Sequence, residues 1–118
     1  MPHLIFECSE EIKSKISFEP IFFELHTMLA DFLPTQISDC KSRVFSSREY
    51  LVGDDKQNLF IHVTIKILPG RTAEVKDITG KKVLMILKKI VNDLDIVKVS
   101  ISVEIVDLCA NYYKDTLI

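Results

Sequence analysis

The chain has 118 residues, of which 47% are hydrophobic, with a formal charge of −2 and only three glycines. That length holds one domain with a modest core, and the charge offers neither a basic field for nucleic acid nor an acidic tail. Three cysteines without a C-x-x-C pair argue against a disulfide framework or a zinc site. No signal-peptide pattern and no membrane-length apolar run is visible, so a reducing cytoplasm is the expected location.

In chain order, residues 3–8 predict a first strand, with Leu4, Phe6 and Cys8 on one face and His3, Ile5 and Glu7 on the other. Pro2 stands directly behind Met1. Read plainly, it opens a strand at a position where a missing N–H does no harm. Read chemically, it is a masked base: while Met1 is attached the Pro2 nitrogen is a tertiary amide, and removal of Met1 leaves a secondary amine in a rigid ring. Residues 9–15 are polar and read as a loop. Pro20 marks a helix start, and Phe22, Leu25, Leu29 and Phe32 form the stripe of an amphipathic helix that Pro34 ends. A second strand is expected over residues 41–52, interrupted by Ser46, Ser47, Arg48 and Glu49, and residues 53–58 are the clearest turn.

Beyond that turn, Leu59, Ile61, Val63, Ile65 and Ile67 alternate with Phe60, His62, Thr64 and Lys66, a strand pattern. Pro69 and Gly70 break it. Thr72 and Glu74 suit a helix entry, and Leu84, Leu87, Val91 and Leu94 give the stripe of a long helix in which Gly80 costs about 1 kcal/mol against alanine. Residues 97–107 alternate again, and the tail at 111–115 is polar and aromatic with no period.

The order is β-α-β, turn, β-α-β: two halves, about 1–53 and 54–118, of one domain. Right-handed crossovers place both helices on one face of a four-stranded sheet. The other face, expected to carry Val, Ile and Phe, then needs burial against further subunits.

Three segments carry a family resemblance. They are Met1 to Cys8, reading Met-Pro-His-x-Ile-x-Glu-Cys; Lys41-Ser42-Arg43-Val44; and Ile61 to Ile67 followed by Gly70-Arg71-Thr72. Together they resemble 5-carboxymethyl-2-hydroxymuconate isomerase of the tautomerase superfamily, and the second half is similar to the single βαβ unit of 4-oxalocrotonate tautomerase. The resemblance implies an α+β fold of two fused β-α-β units in one mixed sheet, a homotrimer, and no cofactor or metal. It implies a cytoplasmic isomerase of aromatic compound catabolism, in the homoprotocatechuate pathway, that shifts a double bond in unsaturated 2-hydroxy or 2-oxo dicarboxylates. Pro2 is the implied catalytic proton carrier. Lys41, Arg43 and Arg71 are the implied substrate-binding cations, against the plain reading of each as a solvated surface charge. The family usually has arginine where this chain has Lys41, and a lysine lacks the bidentate fork. A related proline-dependent hydratase or dehalogenase, or a non-catalytic trimeric homologue, are the competing readings. His3, His26 and His62 share no metal spacing and read as structural. Cys8, Cys40 and Cys109 read as buried small hydrophobes, and Phe45 as core or pocket lining.

Overall fold

A computed structural model of the chain describes residues 1–96 and 98–117. Its centre is a four-stranded mixed sheet in the order β2-β1-β3-β4, formed by β1 (His3–Ser9), β2 (Lys41–Ser47), β3 (Leu59–Ile67) and β4 (Val99–Asp107). β1 runs parallel to β2 and β3 parallel to β4, while β1 and β3 pair antiparallel in the middle. The two β-α-β units therefore meet at the β1–β3 seam. Position 97, expected to open the last strand, lies outside the described residues.

Alternation builds the core. Leu4, Phe6 and Cys8 from β1 and Ile61, Val63, Ile65 and Ile67 from β3 are at most 1% exposed, because successive strand residues point to opposite faces. Against them pack α2 (Phe18–Phe32) and α3 (Ala73–Asn92). A third helix, α1 (Glu10–Lys15), occupies the stretch expected to be a loop. Its one apolar residue, Ile12, is fully buried in the same core, which is enough to anchor a helix too short to show a stripe.

Both long helices are rotated slightly from the expected stripes. α2 buries Phe18, Ile21, Leu25 and Leu29, while Phe22 is half-buried against Phe6 and Phe32 lies under the Lys82 ammonium. The helix begins two residues before Pro20, which the first turn tolerates because its N–H groups have no intrahelical partner. α3 buries Thr79, Val83, Leu87 and Val91. Thr79 escapes an apolar pattern, yet its hydroxyl donates to the Val75 carbonyl at 2.7 Å and so enters the core satisfied. The Thr72 hydroxyl accepts from the Val75 N–H at 3.1 Å, which is the expected helix entry. β2 ends at Ser47 rather than continuing to 52, because the polar run from Ser46 to Glu49 gives the edge strand nothing apolar to bury.

The sheet face opposite the helices is uncovered in the single chain, but it is more polar than expected. Val and Ile of β3 and β4 point mainly toward the helices. The open face carries Ile5, Phe45, Phe60 and Val106 among His3, Glu7, Lys41, Arg43, His62, Thr64, Lys66, Ser100, Ser102 and Glu104. Phe45 stands 58% exposed on it, outside the core. No helix of the described residues is long and apolar enough to cross a membrane.

Gly80 faces Ile105, and a Cβ built there would meet the Ile105 Cγ1 at 3.5 Å, an ordinary van der Waals contact. Its missing methyl therefore relieves no clash. Gly80→Ala is expected to raise stability by about 0.5–1 kcal/mol through helix propensity, read as a higher urea midpoint at unchanged slope. A lower midpoint would mean that Ile105 cannot accommodate the methyl group.

Candidate active site at the N-terminus

Pro2 is buried at the entry to β1, and its carbonyl accepts the Lys41 N–H at 3.0 Å. That bond extends the β1–β2 ladder one residue beyond the strand, where the absent proline N–H leaves no gap. The α-amino group of Met1 is partly buried, and its pKa is lowered, first by burial, then by the Arg71 guanidinium and more weakly by Lys114. Asp39 and Cys40 act in the opposite sense. The chain start is thus a half-enclosed, cation-biased pocket, which favours a neutral amine.

Arg71 is brought there by the turn after β3. Its Nε donates to the Leu33 carbonyl at 3.1 Å, one terminal nitrogen to Leu68 at 3.2 Å and the other to Pro34 at 3.4 Å. It therefore clamps the end of α2 to the end of β3. An arginine carries five N–H donors, so two remain for a ligand. Lys41 is exposed, with its Nζ 3.2 Å from the Asp39 carbonyl oxygen.

Arg43 lies farther along β2, exposed on the open sheet face, where one terminal nitrogen donates to His3 Nδ1 at 3.1 Å. Because arginine can only donate, His3 Nδ1 is the acceptor, and its proton sits on Nε2, which donates to the Tyr112 hydroxyl at 2.8 Å. The His3 pKa is lowered by burial first, and then by Arg43, Lys41, the terminal amine and Lys66, in keeping with a neutral ring. Pro2, Arg71 and Lys41 thus gather at one end of β1. Arg43 joins them only through His3.

The polar and aromatic tail docks back onto the chain start. Beyond β4, Tyr112 packs edge-on against His3, with ring centroids 5.7 Å apart, and Lys114 pairs with Asp39 at 2.6 Å. The aperiodic composition of these residues gave no signal of a docked segment. A hollow of about 540 Å³, lined by Lys66, Asp107, Asn111 and Tyr112, adjoins this crossing.

The remaining histidines have separate hydroxyl partners. His26 meets Ser42 at 2.7 Å and His62 meets Ser102 at 2.7 Å. Among the described residues no three His, Cys, Asp or Glu side chains converge as a metal set. Cys8 and Cys40 are buried, with the Cys8 thiol pushed up to about 11 chiefly by burial. Cys109 is exposed, contrary to expectation, because it follows the last strand and has no core above it.

The Escherichia coli 5-carboxymethyl-2-hydroxymuconate Delta-isomerase is 27% identical over 89 residues, covering 75% of this chain and 71% of that protein. The crystal structure of a 5-carboxymethyl-2-hydroxymuconate isomerase from Deinococcus radiodurans R1 superposes with a TM-score of 0.74 at 23% identity, covering 98% of this chain and 90% of the other. A fused 4-OT described as a symmetric trimer superposes with a TM-score of 0.68 at 15% identity, covering 90% and 86%. The fold is the α+β tautomerase-like one in both comparisons. The family profile of 5-carboxymethyl-2-hydroxymuconate isomerase matches residues 2–118. This chain belongs to the 5-carboxymethyl-2-hydroxymuconate isomerase family and is an isomerase of that family.

Proposed function

We propose that removal of Met1 turns Pro2 into the proton carrier of this isomerase. The amine takes the hydroxyl proton of an unsaturated 2-hydroxy acid and returns it to the far carbon of the diene, so that the enol oxygen becomes a ketone and the remaining double bond is conjugated with it. The observation that carries this reading is the placement of the chain start, with Pro2 buried and tied to β2 next to a Met1 amine whose pKa is lowered by burial and then by the neighbouring Arg71. A base near the working pH is worth roughly 10²–10⁴ in rate. Arg71 and Lys41 hold substrate carboxylates and steady the developing enolate. The molecule in the family's name is a hexadienedioate bearing an acetic acid arm. It has three carboxylates rather than the two expected from the sequence, which increases the demand for cations. A place in aromatic-acid breakdown after ring cleavage, in a reducing cytoplasm, fits that substrate class.

The uncovered sheet face supports assembly as a homotrimer, the state described for the fused 4-OT. Sedimentation at micromolar concentration is expected to give a trimer, and a well-behaved monomer would overturn the assembly.

Protein lacking Met1 is expected to ketonise a muconate-type enol. Its kcat/KM rises with pH through a midpoint below the ordinary α-amino value of about 7.7–8.0, because the neutral amine is the active form. The same chain retaining Met1 should be folded and almost inactive. Equal turnover by the two forms would remove Pro2 from the mechanism.

Arg71→Ala should act in two ways. Loss of the clamp between α2 and β3 lowers stability by on the order of 1–3 kcal/mol, measured by urea unfolding. Turnover of carboxylate-rich enols should fall more than that of a monocarboxylate enol, and equal losses would confine Arg71 to the clamp.

A further inference from the structure

The Lys114 ammonium touches two groups at the chain start. It donates to the Asp39 carboxylate at 2.6 Å and to the Met1 sulfur at 3.0 Å, and its side chain is only 22% exposed. An ammonium has three N–H donors. Asp39 takes one of these donors, and the Met1 side chain occupies a second beside the chain start. The tail that delivers Lys114 is itself fixed by the Tyr112 contact to His3 and by the Leu108 N–H to the Ile67 carbonyl at 2.7 Å. Among the described residues, Arg71, Lys41 and Lys114 outnumber the Asp39 carboxylate around the chain start.

We propose that Lys114 is a further substrate-binding residue of this isomerase, and that departure of Met1 frees both the Pro2 amine and the Lys114 donor that receives a substrate carboxylate. The proposal rests on the reading of Pro2 as the base and extends it to the C-terminal segment. It gives a three-carboxylate substrate a cation that the family-like segments at 41–43 and 70–72 do not supply. It also makes unprocessed protein deficient in anion binding as well as in the base.

The test uses full-length protein with Met1 removed, in wild-type, Lys114→Met, Lys114→Arg and Asp39→Asn forms, and two readouts. In kinetics, Lys114→Met is expected to raise KM for a carboxylate-rich enol roughly 10- to 100-fold, the loss of one charge-assisted hydrogen bond. Its kcat and its KM for a monocarboxylate enol should change little, and Lys114→Arg should restore most of the affinity. In calorimetry with glutarate, which does not react, the processed wild type should bind more tightly than Lys114→Met and more tightly than the Met1-retained chain. Asp39→Asn keeps the lysine while releasing its partner, and should bind glutarate at least as well as wild type. The proposal is overturned if Lys114→Met raises KM for both enols equally, if it leaves glutarate binding unchanged, or if Asp39→Asn weakens binding as much as Lys114→Met does. The last outcome would mean that only docking of the tail is at stake. Because glutarate binding requires no chemistry, it reads Lys114 even if Pro2 proves not to be the base.

Discussion

Everything at the site depends on β1 being hydrogen-bonded along both edges. Chain termini usually fray, but here the first strand lies between β2 and β3, with Leu4, Phe6 and Cys8 fully excluded from solvent. A fully buried side chain of this kind contributes about 1.5–3 kcal/mol relative to an exposed one, so the strand cannot peel away without disrupting the core. The Pro2 carbonyl carries the ladder to the end of the chain. A rigid ring on a strand paired along both edges leaves the Pro2 nitrogen with little freedom, which suits the proton transfer proposed for it.

The second dependence is on the junction between the halves. Pro2 and Asp39 come from the first β-α-β unit, Arg71 from the turn that opens α3, and Lys114 from the tail that follows β4. Neither unit alone assembles this set. Arg71 ties them together: its guanidinium holds the carbonyls at the end of α2 and the carbonyl following β3, while its charge disfavours protonation of the amine. Structural and electrostatic roles thus coincide in one side chain, and the anchoring carbonyls keep the charge in position.

What the sequence made legible follows from periodicity. β1, β3 and the two long helices were plain because burial imposes alternation or a helical stripe on many residues at once. The helix α1 was hidden because one buried residue, Ile12, makes no period. The stripes were misplaced where a polar residue, Thr79, took a core position through a bond to its own helix. The open face was misjudged because the Val and Ile counted toward it belong to the helix-facing side. Pro2, Lys41, Arg43 and Arg71 all fall within the short segments that carry the resemblance, although Arg43 stands apart from the other three on the sheet. Lys114 and Tyr112 give no such signal, since their contacts are with residues 75 and 109 positions earlier in the chain.

The proposed mechanism requires Pro2 to be a neutral amine near pH 7. The most direct measurement is a ¹⁵N titration of the Pro2 nitrogen in protein from which Met1 has been removed. A midpoint below the ordinary α-amino range of about 7.7–8.0, moved upward by Arg71→Gln, is the predicted result. A midpoint at or above that range, indifferent to Arg71, would contradict the account.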